Sequence, residues 1–307
     1  MSLRINKALA KVRRALASRY LFDNWLSLLI KYALTRLGFN VRLTARVSDC
    51  TLELSPEVFG RVVGGFSRGL IRSVECNGKR LIVNNMEITN INDLINTETY
   101  AKVLGWVYDS INQYWFRGNV MFRHMHGTII EIFHYGEYEP LNVEGRVVVD
   151  VGAYIGDSAI YFALKGARKV IAIEPHPGAF AEMLDNIKLN NLEGVIIPVN
   201  AGLASKPGKI YIENVGAVPA VTLSELISRF GVDPNDAVLK MDCEGCEFDI
   251  ILNDYEHVKL FKELILEYHG DVVNKTVNDL LNMLSKDYRC NVIRGNKVSG
   301  NMHCIRK

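Results

Sequence analysis

The spacing of apolar residues changes near residue 140. Before that point, helical and strand-like segments follow one another without a regular order. One helical face predicts a first helix and is formed by Leu21, Trp25, Leu28, Leu29 and Tyr32. Residues 41–47 alternate apolar with polar positions and predict a strand. We therefore expect an N-terminal α+β domain over residues 1–140, with the polar, proline-ending segment 136–140 as its boundary.

Local signals add detail to this first domain. Ser55-Pro56-Glu57 is typical of a helix start, and Asn77-Gly78 between two apolar runs is typical of a hairpin turn. The aromatic-rich stretch 98–116 predicts a helix, and residues 128–134 predict a strand. These elements fit an α+β domain and determine no topology for it.

Beyond residue 140, strand-like and helix-like stretches alternate regularly. Strands are predicted at 146–150, 169–174, 195–200, 237–242 and 263–269. Helices are predicted at 158–165, 180–187, 223–230, 247–252 and 277–284. This alternation predicts an α/β fold with a doubly wound parallel sheet. Residues 289–294 and 301–306, joined by a Gly-rich turn, predict a strand pair and hence one antiparallel C-terminal strand in the domain 141–307.

Composition and charge limit the class of protein. With 307 residues, 49% hydrophobic and 23% charged, the chain is neither disordered nor of low complexity. No stretch reaches about 18 uncharged apolar residues, and no secretory pattern is present, so we expect no transmembrane segment and a cytoplasmic location. The net charge of +2 is unevenly placed, because residues 1–48 hold ten Lys/Arg against one acid.

This basic segment, residues 1–48, leaves three interpretations open. Its cations suit the phosphates of a nucleic acid. Trp25 and Leu28 share an amphipathic face with flanking positive charge, which suits an anionic membrane surface. An ordinary solvated helix packed on its own domain explains the same pattern.

The second domain opens with a strand, a glycine-containing loop and a helix, over Asp150 to Asp157. Glycine lets the backbone approach a ligand, and doubly wound sheets bind ligands at the carboxyl ends of their strands. The spacing is neither G-x-G-x-x-G nor a P-loop, which disfavours hydride chemistry. Glu174 ends the next strand, 24 residues after Asp150, where an acid can accept two ribose hydroxyls. A ribose acceptor and an acidic loop tip at Asp157 together indicate S-adenosyl-L-methionine, with a plain strand–turn–helix and capping acids as the alternative.

Residues 146–270 resemble the class I S-adenosylmethionine-dependent methyltransferases, specifically the FkbM family. Four motifs carry the resemblance: Val149–Asp157, Ala172–Pro177, Leu239–Glu247 and Leu266–His269. The third, an Asp-x-Glu-Gly-x-Glu pattern, is the specific one. The resemblance implies a Rossmann-like methyltransferase sheet and a set of cofactor-binding residues: Asp150, Gly152, Ala153, Tyr154, Gly156 and Asp157 at the methionine part, Glu174 and Pro175 at the ribose, Asn200 and Ala201 near the adenine, and Asp242. Tyr154 stands where the family usually has Asn, which we expect to change packing near the cofactor.

The catalytic candidates follow two strands predicted to be neighbours. Asp242 and Glu244 come after the fourth strand, and Glu267 and His269 finish the fifth on one face. We favour His269 as the general base, because its ordinary pKa lies near working pH. Two alternatives stay open: a structural histidine bonded to backbone, and a divalent cation held by Asp242, Glu267 and His269. We predict no resident metal.

Six cysteines are too few for a disulfide scaffold. Cys243 and Cys246 form C-x-x-C without the second pair that zinc needs. We interpret them as small residues beside the acids, with a redox pair as the alternative, which no thioredoxin-like context supports. Cys290 and Cys304 on the terminal strand pair are candidates to face each other, as are Cys50 and Cys76.

The motifs favour an oxygen acceptor over a nucleobase amine. Amine methylation usually comes with Asn/Asp-Pro-Pro-aromatic after strand four, where this chain reads Asp-Cys-Glu-Gly. We therefore expect methylation of a hydroxyl on a sugar, glycan or small metabolite, in agreement with the family. An RNA methyltransferase recruited by the basic N-terminus is one alternative, and a cofactor- or nucleoside-binding module without turnover is another.

Overall fold

A computed structural model describes residues 16–78 and 80–307, which divide into two compact units. The first comprises the described residues up to Gly118 together with His124–Ile130, and the second comprises Asn119–Arg123 and Glu131–Lys307. Residues 136–140, expected from the sequence to be the boundary, fall within the second unit. Five of the ten cations of the basic segment lie outside the described residues: Arg4, Lys7, Lys11, Arg13 and Arg14.

The first unit is built from short helices and small antiparallel sheets. Strand β1 pairs with β2, β4 lies between β3 and β5, and β6 pairs with β7. The elements are α1 (Trp25–Arg36), β1 (Leu43–Val47), β2 (Cys50–Leu54), α2 (Pro56–Phe66), β3 (Val74–Asn77), β4 (Arg80–Val83), β5 (Met86–Ile88), α3 (Thr97–Val103), β6 (Val107–Asp109) and β7 (Tyr114–Arg117). The chain continues into the second unit through β8 (Val120–Phe122) and α4 (Gly127–Phe133).

Two local signals in the first unit are confirmed. Ser55 caps α2 by accepting a hydrogen bond from the backbone N–H of Val58, and Pro56 opens the helix. Asn77 pairs with Arg80 across the turn that joins β3 to β4.

Two other predictions for this region are wrong. The stretch 98–116 is no single helix, because α3 ends before Gly105, whose φ of +91° only glycine adopts easily, and the aromatics beyond it alternate in β6 and β7. Residues 128–134 lie mostly in helix α4 instead of a strand. Ile129 and Ile132 are both buried at helical spacing, so burial outweighs the β-propensity of a β-branched run.

A seven-stranded sheet forms the centre of the second unit and confirms the predicted α/β fold. Its strand order is β11-β10-β9-β15-β16-β18-β17, with β9, β10, β11, β15 and β16 parallel and β18 antiparallel to both neighbours. A small sheet of β12, β14 and β13 follows β11. The strands are β9 (Val147–Val151), β10 (Lys169–Ile173), β11 (Ile196–Val199), β12 (Gly202–Leu203), β13 (Gly208–Ile212), β14 (Gly216–Val221), β15 (Ala237–Met241), β16 (Glu263–His269), β17 (Tyr288–Gly295) and β18 (Ser299–Arg306).

The strand connections place helices along this sheet, as in a Rossmann-like fold. The helices are α5 (Asp157–Leu164), α6 (Pro177–Leu189), α7 (Leu223–Phe230), α8 (Cys246–Asn253), α9 (Tyr255–Val258), α10 (Gly270–Val273) and α11 (Val277–Leu284). Every residue of β9 and β15 is buried, as expected for central parallel strands covered on both faces. Strand β9 lies between β10 and β15, so the strand order reverses there and opens a crevice at the carboxyl ends.

All six cysteines are paired. The expected meetings of Cys290 with Cys304 and of Cys50 with Cys76 are confirmed as disulfides. The interpretation of Cys243 and Cys246 as merely small residues is wrong, because they too are bonded. Glu244 and Gly245 between them have φ of +55° and +108°, and this tight turn brings the two Cα atoms to 5.4 Å.

Across residues 16–78 and 80–307, no helix is long and apolar enough to cross a membrane.

Candidate functional site

A buried ion pair fixes the first strand end of the site. The Lys240 ammonium lies 3.0 Å from Asp150 Oδ1, and both side chains are almost fully buried. Lys240 also donates to the backbone carbonyls of Val151 and Gly152, while Ser158 donates to Asp150 Oδ2 at 2.7 Å. Burial alone would lower the pKa of Lys240, but the carboxylate of Asp150 raises it above its ordinary value. The carboxylate of Asp150 thus contacts Lys240 and Ser158, and these contacts hold the loop in place.

Gly152 permits the closest backbone approach in the site. A Cβ there would lie 1.7 Å from the carbonyl oxygen of Asp242, and its φ is +74°. The N–H groups of Gly152 and Ala153 both donate to the carbonyl of Ile173, at 2.9 and 3.0 Å. The loop after β9 therefore lies against the ends of both neighbouring strands, β10 and β15.

The loop turns into α5 at Gly156 and Asp157. Gly156 has φ of +83°, and a Cβ on it would meet the side chain of Met183 at 2.9 Å. Asp157, 2% exposed, is the first residue of α5, where a carboxylate is favoured by the helix dipole. The sequence-predicted loop thus ends at a helix N-terminus, with its acid in the first turn.

Glu174 joins the loop to the next strand end. Its Oε2 accepts from Tyr154 N at 2.9 Å and its Oε1 from His176 N at 2.7 Å. Burial raises the pKa of Glu174, and these two hydrogen bonds oppose that rise. Each carboxylate oxygen keeps a further lone pair for a ligand hydroxyl. Tyr154 itself has φ of +46° and a 40% exposed side chain.

The end of β11 lies beside Glu174. The Asn200 side-chain amide donates to the backbone carbonyl of Glu174 at 2.9 Å and lies 3.5 Å from that of Pro175. Ala201, which follows, is buried. The residues expected at the ribose and adenine are therefore brought together at the carboxyl ends of β10 and β11.

The catalytic candidates also meet. His269 Nε2 lies 4.0 Å from Asp242 Oδ1 and 3.8 Å from Glu244 Oε2. Glu267 and His269 are half-buried on one face of β16, and Tyr268 between them is buried on the other. Glu267 Oε2 accepts from the Asn301 amide at 3.4 Å, and burial raises the pKa of Glu267, with repulsion from Asp242 adding to the rise.

His269 is held by a carboxylate absent from the catalytic candidates named above. Its Nδ1 lies 3.3 Å from Oε1 of the fully buried Glu247, which also accepts from the backbone N–H groups of Cys243 and Gly245. Burial lowers the pKa of His269, but Glu247, Glu244 and Asp242 outweigh it and raise that pKa to about 9. The pKa of His269 therefore lies above the ordinary value for histidine, because the surrounding carboxylates stabilise the imidazolium.

Part of the chain is similar to known proteins. Residues 150–290 match the family described as the methyltransferase FkbM domain. This match covers less than half of the chain, and over that range the chain is similar to the family. Among curated proteins, the hexuronic acid methyltransferase AglP of Haloferax volcanii is 30% identical over 153 residues, which cover 45% of this chain and 62% of AglP. The uncharacterized protein 158B of Sulfolobus islandicus rod-shaped virus 1 is 25% identical over 158 residues, covering 50% of this chain and 82% of that protein.

Two solved structures are similar in part. The methyltransferase FkbM from Methylobacillus flagellatus has a TM-score of 0.44 at 16% identity, over 55% of this chain and 46% of that one. The M. jannaschii TYW2 structure in complex with AdoMet has a TM-score of 0.39 at 19% identity, over 63% and 86%. The match spans less than two thirds of the length of AglP and of the M. flagellatus chain.

Two residues that contact the site lie outside every sequence motif. The Tyr138 hydroxyl donates to Asp242 Oδ2 at 2.9 Å, and the Lys240 ammonium lies 5.4 Å from its ring centroid. Glu137 accepts from the Asn301 amide at 2.8 Å, and burial raises its pKa. Because Tyr138 is 104 residues away from Asp242 in sequence, no local spacing could indicate the contact. Lys240 and Glu247, in contrast, lie inside the third motif, so the sequence carries a signal for both.

The residues able to hold a cation differ from the sequence-based set. Ligand atoms of Asp242, Glu247 and His269 all lie within 4.8 Å of one another, and Glu267 is not in this group. Glu247 already accepts hydrogen bonds from two backbone amides and contacts His269. These contacts show that Glu247 supports the imidazole of His269, which explains its position without a metal ion.

Proposed function

We propose that this chain is an S-adenosylmethionine-dependent methyltransferase that methylates a hydroxyl group of a sugar, glycan or small metabolite. The match of residues 150–290 to the FkbM methyltransferase family carries the proposal. Support for a sugar acceptor comes from AglP, whose name describes a hexuronic acid methyltransferase.

The residues of the site fit this cofactor. At Gly152 the backbone leaves no room for a Cβ, so the loop packs directly against the end of β15 and keeps the crevice in shape. Asp157, Glu174 and Asp242 provide carboxylates at three successive points of the crevice, which suits a cation. Glu174 would hold the ribose hydroxyls, the loop from Gly152 to Asp157 the methionine part, and Asn200 the edge near the adenine. When bound, S-adenosylmethionine supplies a methyl group on a positively charged sulfur.

We assign to His269 the removal of the proton from the acceptor hydroxyl. The Nδ1–H of the neutral imidazole donates to Glu247, which leaves the lone pair of Nε2 facing Asp242 and Glu244. Nε2 in that form would accept the hydroxyl proton, so that the acceptor oxygen could take the methyl group as the bond between that group and the sulfur breaks. Glu247 is therefore a positioning residue that fixes the tautomer, and Tyr138 holds the carboxylate of Asp242.

A labelling experiment tests the proposal. The full chain is incubated with methyl-labelled S-adenosylmethionine and three acceptor pools: hexuronic-acid-containing oligosaccharides, neutral oligosaccharides and RNA. We expect label in an oligosaccharide as an ether that resists mild alkali. Alkali-labile label would identify a carboxylate acceptor, and label in RNA alone would contradict the sugar acceptor. Calorimetry with S-adenosylmethionine and S-adenosylhomocysteine provides the second readout, since failure of both to bind would overturn the methyltransferase assignment.

A further inference from the structure

Helix α1 carries apolar side chains on two opposite faces. On one face, Leu28 is fully buried in the first unit. On the other, Leu26 and Ile30 are each 57% exposed, and Leu37, just after the helix, is 74% exposed. At 3.6 residues per turn these three positions fall within about 40° of one another. With Phe39, 60% exposed, they form an exposed apolar ridge, defined here as Leu26, Ile30, Leu37 and Phe39.

This ridge is not the face that the sequence suggested for a membrane. The sequence points to the face of Trp25 and Leu28, but Leu28 packs within its own domain. The apolar residues available to a partner are on the opposite side of the helix. Single exposed apolar residues are ordinary, whereas several that follow one face of a helix favour an interaction surface.

Positive charge surrounds the ridge. On the helical wheel Lys31 and Arg36 lie on either side of it, roughly 100–120° away. Residues 16–48 hold five Lys/Arg and one acid, Asp23, and the fifteen residues before them add five more Lys/Arg and no acid. An apolar ridge bordered by cations is complementary to a surface that has an apolar interior and anionic headgroups.

We propose that the apolar ridge of α1 docks on an anionic lipid surface, with Lys31 and Arg36 at the level of the headgroups. A nucleic acid or a second copy of the chain would match only the cations or only the apolar residues. A nucleic acid would neutralise the cations and leave the apolar side chains in water. A second copy of the chain packed ridge to ridge would bring the flanking cations of both copies together. The proposal does not depend on the proposed methyl transfer.

Vesicle sedimentation of the full chain tests the docking. The chain is mixed with vesicles of phosphatidylcholine alone or with about one third phosphatidylglycerol. We expect binding to the anionic vesicles only, weakening as salt is raised. Leu26→Ser/Ile30→Ser/Leu37→Ser should reduce the partition coefficient at least about tenfold, because three apolar side chains no longer leave water. Lys31→Glu/Arg36→Glu should also reduce the partition coefficient, although it changes no residue of the ridge.

A matched control uses exposed apolar residues elsewhere. Ile111 and Tyr211 are 90% and 81% exposed, so Ile111→Ser/Tyr211→Ser removes similar side chains and should leave vesicle binding unchanged. Absence of binding to anionic vesicles, or equal binding by the ridge variant, would overturn the proposal. The proposal would also be overturned if the chain did not bind the vesicles and instead formed a dimer in sedimentation velocity or bound RNA. Unchanged circular dichroism of the variants confirms that a loss of binding is not a loss of folding.

Discussion

At His269, the chemistry of a residue depends on which carboxylates the fold places around it. The imidazole would be mostly neutral at pH 7 in a peptide, but Glu247, Glu244 and Asp242 raise its pKa to about 9. A general base must be unprotonated to act, so the reactive fraction increases with pH up to that value. We expect kcat/KM to rise about tenfold per pH unit below 9 and to level off above it.

His303 provides a control for this pH dependence. It is a half-buried histidine paired with a carboxylate, Glu263, at 2.7 Å, but it lies near the opposite end of β16. His303→Ala should keep the rising limb, whereas His269→Ala should abolish it and lower the rate about 10²–10⁴-fold. A wild-type profile that is flat between pH 7 and 9 would exclude His269 as the base.

Lys240 and Asp150 form the buried pair on which the glycine loop depends. Lys240→Met removes the cation and leaves the Asp150 carboxylate without its partner in the interior. We expect this to destabilise the protein by about 3–5 kcal/mol, because an uncompensated buried charge is costly. Thermal unfolding of the single variants and of Asp150→Asn/Lys240→Met measures the coupling. The double variant should cost less than the sum of the two single ones, and simple additivity would contradict the pairing.

Gly152 tests the fit between the loop and the neighbouring strand end. Gly152→Ala places a Cβ 1.7 Å from the Asp242 carbonyl, so the loop must move and we expect at least about tenfold weaker S-adenosylmethionine binding by calorimetry. Gly145→Ala is the control, since Gly145 has nearly the same φ, +70°, and no heavy atom within 4 Å of the added Cβ. Both variants carry the backbone strain, roughly 1–2 kcal/mol, and only Gly152→Ala carries the clash. Equal binding by both variants would refute the close approach.

At the scale of elements, we expect one disulfide to contribute mainly to stability and another mainly to the geometry of the site. Cys290–Cys304 joins β17 and β18, with a sequence separation of 14, whereas Cys243–Cys246 closes the loop between Asp242 and Glu247. Cys290→Ser/Cys304→Ser should lower the free energy of unfolding by about 3 kcal/mol through a less restricted unfolded chain, with kcat/KM unchanged at low temperature. Cys243→Ser/Cys246→Ser should instead lower kcat/KM, because the turn that positions Asp242 and Glu247 loses its crosslink. These roles would be contradicted if the Cys290/Cys304 variant lost activity and the Cys243/Cys246 variant kept its kcat/KM.

The second unit could be predicted from the sequence because its strands are buried and its helices are amphipathic. The predicted strand 263–269 and helices 223–230 and 277–284 agree with β16, α7 and α11. The elements before residue 140 were harder to predict, because they are short and depend on distant contacts: residues 128–134 have β-branched composition but lie mostly in a helix. The same limit applies at the site, where the strand-end acids follow from the motifs. The Tyr138–Asp242 bond depends on tertiary packing that no local pattern encodes.

At the scale of the whole molecule, charge and chemistry belong to different parts of the chain. The basic segment 1–48 is opposed by a net charge of −7 in the remaining residues, which include the whole range 150–290 that matches the FkbM family. Every side chain assigned to the cofactor lies in the second unit, and the apolar ridge of α1 lies in the first. Neither assignment uses a residue of the other.

This separation predicts that the two binding activities fail independently. Lys31→Glu/Arg36→Glu should lose anionic vesicles yet bind S-adenosylmethionine with a dissociation constant within about twofold of wild type, since no cofactor contact changes. Gly152→Ala should weaken cofactor binding yet keep its partition onto vesicles. Calorimetry and vesicle sedimentation on the same preparations measure both quantities. If either variant lost both activities while remaining folded, the ridge and the crevice would be parts of one site, and lipid docking would have to be treated as a feature of acceptor recognition.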